Sequence, residues 1–228
     1  MAILPFCSGS FSDGALVDLS LLARIEQQTA ATDVTLASLS EADARKYVFL
    51  TVDTHDGDFA TGFAHGIAGA DDFCATQKAA HFAGLPGVGG DYKALIVDAT
   101  TPNRRACSTA DCSGGVAEHI DWVLAPSTDY FADDGNALFT TNTDGIIDFT
   151  GGATLAQAFD ANAGNSWWTG MLDSTWITAA PATFHCADWT NNAGGGGNKG
   201  DGAKTDGDAI SFFSDGCGSL NHLLCVRQ

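Results

Sequence analysis

The sequence contains few basic residues, and this shortage excludes several classes of partner. Ten lysine and arginine residues stand against 28 aspartate and glutamate residues, which gives a formal net charge of −18 at pH 7. No basic cluster is larger than the pair Arg104–Arg105. Because such a surface repels phosphate and sulfate polymers, we expect the protein to bind neither nucleic acid nor heparin.

Long apolar runs and catalytic motifs are missing as well. The sequence has no run of about 18 apolar residues, so it predicts no transmembrane segment. Its histidines are scattered, without an H-E-x-x-H pair, and there is no G-x-S-x-G elbow. We therefore expect a binding protein and not an enzyme. A glycan hydrolase that assembles two carboxylates in space is the enzymatic alternative.

The residues that are present are typical of a globular domain from an oxidising compartment. Hydrophobic residues make up 45% of the chain and charged residues 17%, which indicates an ordinary core and not disorder. Seven cysteines favour an extracellular or cell-surface location, with a virion as the alternative. Spacing alone leaves the pairing of any six of them open.

Residues 1–45 are predicted to form an N-terminal helical extension and a connector. Ser12 or Asp13 can cap a helix whose apolar residues follow at helical spacing. Those apolar residues are Leu16, Leu19, Leu22 and Ile25. This stripe either packs on its own domain or forms an oligomerisation stalk that resembles a short coiled coil. The second alternative predicts a homo-oligomer, such as a trimer.

The remaining residues, 46–228, are predicted to form the main domain. Tyr47–Val52 reads as its first β-strand, residues 71–83 as its first helix with two aspartates at the positive end, and Tyr92–Val97 as the next strand. Glycine, asparagine, aspartate and threonine dominate residues 102–165, which predicts a long, loop-rich insert.

The order of several motifs in this part of the chain resembles a known family. Residues 65–74 (HGIAGADDFC), the following Ala-rich helix and the strand at Tyr92 resemble endostatin. They resemble even more a bacterial domain of unknown function found in spirochaete surface lipoproteins. Further anchors are Phe139, residues 165–170 (NSWWTG) and Trp189. Both families belong to the C-type-lectin-like superfamily, and the resemblance covers residues 46–228.

The resemblance implies an α+β fold of the C-type-lectin-like, endostatin-like kind. Such a fold has a mixed, mainly antiparallel sheet with flanking helices and long loops, and disulfides staple it. The resemblance also implies that Trp168 and Trp189 lie in the core. It implies two disulfides and leaves two further cysteines to pair locally, with Cys7 left over. The three pairs are Cys74–Cys225, Cys186–Cys217 and Cys107–Cys112.

Two acidic loop clusters are candidate sites for a hard cation, which makes calcium the expected cofactor. Each cluster alternates oxygen donors around a turn glycine. The predicted ligands are Asp53, Asp56, Asp58, Asn142, Asp144 and Asp148. Neither cluster fits the EF-hand loop, because the closing glutamate is missing. Solvated turns are the alternative interpretation.

Aromatic and acidic residues of the long loops are the predicted ligand contacts. Exposed aromatics can stack on sugar rings or anchor a protein partner, whereas buried ones only pack in the core. The candidates are Trp122, Tyr130, Phe131, Trp176, Asp206 and Asp208. We expect an extracellular recognition or adhesion module that binds a glycan or a protein partner through its loops. The alternative is the structural head or tip of an oligomeric surface fibre or virion protein.

Overall fold

The computed structural model describes residues 24–29, 43–100, 102–160, 165–178 and 184–228. The chain divides into two compact units, Met1–Ala44 and Arg45–Gln228. In the first unit, residues 24–29 are helical and exposed. The predicted cap, most of the apolar stripe and Cys7 lie outside the described residues, so the oligomerisation stalk stays a prediction. No helix in the described ranges is long and apolar enough to cross a membrane.

The second unit is α+β and is built around a five-stranded mixed sheet. Its strands, in spatial order, are β2 (Tyr92–Ala94), β8 (Leu224–Arg227), β1 (Lys46–Leu50), β3 (Asp129–Ala132) and β4 (Ala137–Thr140). Only β1 and β3 run parallel, and the other neighbours are antiparallel. Phe49 of β1 lies opposite Cys225 of β8, so the first and last strands of the sheet lie side by side near its centre.

A second, three-stranded antiparallel sheet consists of β5 (Ser166–Trp168), β6 (Gly196–Asp201) and β7 (Phe213–Gly216), in that order. β6 and β7 both lie in the segment between Cys186 and Cys217. The glycines of β6 make room for neighbours. A Cβ on Gly197 would lie 2.6 Å from the ring of Trp168, and one on Gly200 would lie 2.0 Å from the Ala209 carbonyl oxygen.

Helix α1 (Gly66–His81) packs on the main sheet and begins five residues before the predicted start at residue 71. His65 caps it, because its Nδ1 accepts a hydrogen bond of 3.2 Å from Ala68 N. A Cβ on Gly69 would lie 1.7 Å from the Phe59 carbonyl oxygen, so the helix approaches that segment closely. Asp71 therefore lies inside the helix and not at its positive end.

Alternate residues of the central strands contribute to apolar clusters on the two faces of the main sheet. One cluster includes Val48 and Val226 and extends to Trp167 and Trp176. The other includes Phe49 and Cys225 and extends to Trp168 and Trp189, both of which are fully buried. The core is therefore built around four buried tryptophans: Trp167, Trp168, Trp176 and Trp189.

Three disulfides connect these elements. Cys74–Cys225 joins α1 to β8, and Cys186–Cys217 joins the short turn α2 (Cys186–Trp189) to the residue after β7. Cys107–Cys112 closes a local loop. The first two are the pairs that the resemblance implies, and the third is the local pair expected of the two cysteines that it leaves. All four residues of α2 have φ between 50° and 61°, so α2 is a left-handed turn formed without glycine.

Candidate functional site

Trp122 forms one wall of a cleft of about 340 Å³ at one end of the main sheet. We call it the Trp122 cleft. Its lining includes basic, aromatic and aliphatic residues, among them Lys46, His119, Trp122, Pro126, Tyr130 and Arg227. β1, β3 and β8 bring them together, because Lys46 lies beside Tyr130 in the β1–β3 register and Arg227 ends β8. The cleft is thus apolar and aromatic, with basic side chains at its rim.

Three contacts hold the Trp122 indole in place. Its Nε1 donates a hydrogen bond of 2.8 Å to the Gly145 carbonyl oxygen. The His119 ring lies nearly parallel to it, with centroids 6.1 Å apart, and Trp176 meets it edge-on at 5.7 Å. Because the ring is fixed and only partly buried, it offers a preorganised apolar surface to a ligand.

His119 contributes an unpaired hydrogen-bond acceptor to the same wall. Its Nε2 lies 2.7 Å from the Asp144 carbonyl oxygen, and a carbonyl accepts only, so the proton is assigned to Nε2. Its Nδ1 is then an acceptor, and it has no partner. A buried acceptor without a partner is costly, and this Nδ1 is enclosed by the protein.

Two basic residues, Lys46 and Arg227, line the cleft, although the whole chain is acidic. Lys46 forms no ion pair within the described residues. Arg227 Nη1 donates to the Arg45 carbonyl oxygen at 3.1 Å, and the Arg45 guanidinium lies 4.7 Å from the centre of the Phe131 ring. Lys46 is therefore the residue of the cleft lining that is suited to pair with an anionic group.

A buried arginine positions the loop that carries Trp122. Arg104 is fully buried and donates to both carboxylate oxygens of Asp71 at 2.8 Å. It also donates to the carboxylate of Asp121 at 2.5 Å and to the Asp121 carbonyl oxygen at 2.9 Å. Burial alone would lower the pKa of Arg104, but these two carboxylates outweigh it and raise that pKa. The network ties α1 to the residue before Trp122.

Glu118 anchors the other side of that loop. Its carboxylate accepts backbone hydrogen bonds from Ser108 N, Thr109 N and Gly114 N at 2.6–2.7 Å, and hydroxyl hydrogen bonds from Ser108 and Thr109. Burial alone would raise the pKa of Glu118, but these donors hold it at about 2. The sequence gives no signal for this cage, because its donors are backbone groups brought together by the fold.

Two of the predicted ligand contacts are core residues, which corrects the prediction. Trp176 is fully buried, and its Nε1 donates to the Ile147 carbonyl oxygen at 2.7 Å. Tyr130 is 1% exposed; its hydroxyl accepts a hydrogen bond of 2.7 Å from Ala125 N, and burial raises its pKa. Neither ring can stack on a ligand without opening the core, so Tyr130 only backs the cleft.

The other predicted contacts are distributed over two surfaces. Trp122 lines the cleft, whereas the partly buried Phe131 lies beneath Arg45 and packs with the apolar cluster of the other sheet face. Asp206 and Asp208 belong to a different surface, where Asp206 Oδ1 caps the turn Gly207–Ala209 by accepting from Asp208 N at 3.2 Å. The structure therefore does not bring all six candidates into one site.

Several of the predicted calcium ligands accept hydrogen bonds from other groups of the protein. Asp56 Oδ1 accepts from Asp58 N at 3.0 Å, and Asn142 Oδ1 accepts from Asp144 N at 2.9 Å. Asp53 accepts from Gln77, and Asp148 accepts from the backbone N–H and hydroxyl of Thr150. In the part of the chain that the structure describes, no three His, Cys, Asp or Glu residues converge as a metal site. Calcium binding stays a prediction, which calorimetric titration would test.

Comparison with known proteins places part of this site within a family. A family model with the description "Protein of unknown function (DUF1554)" matches residues 53–205, more than half of the 228 residues. The matched part contains α1, His119 and Trp122, whereas Lys46 and Arg227 lie outside it. No curated protein matches the chain.

Proposed function

Since the chain belongs to the DUF1554 family, whose function is unknown, we propose from its cleft that it is an extracellular recognition module. It binds a short glycan that carries a carboxylate, and it does so in the Trp122 cleft without catalysing a reaction. The three disulfides support an oxidising, extracellular or cell-surface location.

The observation that carries this proposal is the fixed, partly exposed Trp122 indole in a cleft that Lys46 also lines. The C–H face of a sugar ring packs on an indole, and its hydroxyl groups need nearby acceptors. Lys46, which also lines the cleft, is suited to pair with a carboxylate of the sugar.

The composition of the lining supports binding over hydrolysis. Glycoside hydrolysis requires two carboxyl groups that flank the scissile bond. The described residues that line the Trp122 cleft include neither aspartate nor glutamate. A ligand held there would lie among aromatic, aliphatic and basic side chains, which can bind it but supply no carboxyl pair.

The proposal extends to the finer fold, which is C-type-lectin-like and related to that of endostatin. Three features support it: the adjacent first and last strands of the main sheet, the disulfide from α1 to β8, and the disulfide that closes the long segment between Cys186 and Cys217. In such a fold a stapled body presents variable loops, and the loop of Trp122 is one of them.

An array of short neutral and carboxylated glycans tests this function. We expect binding to carboxylated members, and we expect Trp122→Ala to weaken that binding by about tenfold or more, because an aromatic anchor is lost. Lys46→Met should weaken binding of carboxylated glycans but not of their neutral analogues. Phe63→Ala is the matched control, because Phe63 is also an aromatic residue, is 43% exposed and lies outside the cleft.

Three results would contradict the proposal. Unchanged binding by Trp122→Ala would exclude the cleft as the site. Turnover of a bound glycan would show an enzyme. A stable trimer that is lost on deletion of residues 1–30, in a protein that binds no glycan, would favour the structural head of a fibre or virion, and light scattering would detect it.

A further inference from the structure

The outer edges of three of the four edge strands are covered. Ala156 N donates to the Leu138 carbonyl oxygen and so covers β4. His222 forms two backbone hydrogen bonds of 3.0 Å with β5, and Asp71 of α1 accepts from Ala94 N of β2 at 2.9 Å. β7 is the fourth edge strand; Ser219 N donates to the Gly216 carbonyl oxygen at its end, but among the described residues no backbone group bonds to the outward groups of Ser214.

The hydrogen-bond pattern shows which groups of β7 point outward. Asn198 of β6 bonds to the β5 side through Thr169 N, and Cys217 N bonds to the Gly195 carbonyl oxygen on the β7 side. Because bonding alternates along an antiparallel pair, Ser214 directs its N–H and C=O away from β6. Within the described residues, no backbone group outside the β6–β7 pairing forms a hydrogen bond with the Ser214 N–H or C=O.

Large apolar side chains are exposed at the same edge. Phe213 in β7 is 69% exposed and the preceding Phe212 is 48% exposed. Edge strands that must not pair are usually protected by lysine, proline or a bulge. β7 has the sequence FSDG, which contains neither lysine nor proline. Its register with β6 is regular, so it has no bulge.

Around β7, Lys199 pairs with Asp215 and Lys204 lies 5.8 Å from the centre of the Phe212 ring, but acidic residues outnumber the lysines, which determines the kind of partner that fits. Asp206 and Asp208 lie on the turn that leads into Phe212. Asp56 lies beyond the other end, because its neighbour Gly57 donates to the Cys217 carbonyl oxygen. A second copy of this chain would present the same acidic edge and a net charge of −18, so charge disfavours self-pairing.

We propose that β7 is a docking edge for an extended, cationic segment of a partner protein. The segment would add a fourth strand to the small sheet, bond to the outward N–H and C=O of Ser214, and cover Phe213. Its lysine or arginine side chains would pair with the acidic residues at both ends of β7. This surface is separate from the Trp122 cleft, and the two proposals can fail independently.

The probe is a fluorescent peptide of alternating lysine and valine, with a glutamate–valine peptide of equal length as its charge control. We expect the lysine peptide to bind at low salt, and the glutamate peptide not to bind. Methylation of alternate backbone nitrogens on the lysine peptide removes the donors for strand pairing without changing its charge. This change should weaken binding at least tenfold.

Two variants locate the site. Ser214→Pro removes the outward N–H and should weaken binding at least tenfold, whereas Ser214→Ala keeps that N–H and is its matched control. Thermal unfolding shows whether the Ser214→Pro variant is folded. If this variant is not folded, binding of the methylated peptide to the wild-type protein tests strand pairing instead. Equal binding of both lysine peptides would show charge attraction alone and overturn the proposal. So would no binding, or a wild-type dimer that Ser214→Pro abolishes.

Discussion

At the scale of single residues, two buried charges hold the loop that carries Trp122. Arg104 links Asp121, the residue before Trp122, to Asp71 on α1, and Glu118 gathers three backbone N–H groups on the other side. Removing one partner from such a network leaves the others unpaired in the interior, which costs more than the network gains by forming. The geometry of the cleft therefore depends on residues that do not touch a ligand.

Glu118→Gln should destabilise the protein in a way that depends on pH. The pKa of Glu118 in the folded protein is about 2, below its ordinary value of 4.5. Its carboxylate therefore contributes stability that is fully present above about pH 4.5 and is lost as pH falls towards 2. We expect a loss of about 1–3 kcal/mol at pH 7, because the amide cannot satisfy all the donors.

Urea unfolding of wild type and Glu118→Gln between pH 2 and pH 7 measures this difference. It should shrink as the pH approaches 2. Glu26→Gln, at an exposed helical position, is the matched control and should have no such effect. A pH-independent difference would mean that Glu118 stabilises the loop through its shape and not through its charge.

At this scale the sequence indicates candidate residues, but it does not show which of them are exposed and which are buried. Trp122 and Trp176 are the same residue type in similar polar surroundings, and each indole donates to a backbone carbonyl. Only the packing of distant segments decides that Trp176 is enclosed and Trp122 is partly exposed. The unpaired Nδ1 of His119 likewise follows from a backbone carbonyl 25 residues later in the chain, which accepts the hydrogen bond of Nε2.

At the scale of elements, the predictions succeeded where periodic apolar residues define the element. The β1 strand and a helix through Cys74 were predicted, because both have apolar residues on the side that packs. β6 was not predicted, because GGNKGD has neither alternation nor β-branched residues. It is a strand because two tryptophans require its glycines beside them. α2 has a left-handed backbone without glycine, which propensity disfavours.

Removing Cys74–Cys225 should cost more stability than removing Cys107–Cys112. The first disulfide joins residues 151 positions apart and the second joins residues five apart. Loop closure in the unfolded chain predicts contributions of about 5 and about 2 kcal/mol. Urea unfolding of the two double cysteine-to-alanine variants measures both. All four cysteines are buried, so the cavities that alanine leaves are comparable. An equal or reversed order would show that loop entropy does not dominate.

At the scale of the whole molecule, several basic residues add little positive charge to the surface, because they are buried or paired with aspartates. Arg104 is fully buried and Lys78 is 4% exposed. Lys93 and Lys199 each pair with an aspartate at 2.7 Å. The remaining cations cannot offset a net charge of −18 over the length of a polymer. A small ligand that touches Lys46 is in a different position, because it experiences mainly the charges within about 10 Å at 0.1 M salt.

We therefore expect the protein not to be retained on heparin or DNA resin at about 0.1 M salt. A polyanion extends well beyond one Debye length, so it meets the acidic surface on every side of the Trp122 cleft and is repelled. The same protein should still bind a short carboxylated glycan under these conditions. A basic protein loaded on the same resin is the control for its capacity. Retention that is lost as salt is raised would contradict this expectation, because it would reveal a basic surface large enough to bind a polymer.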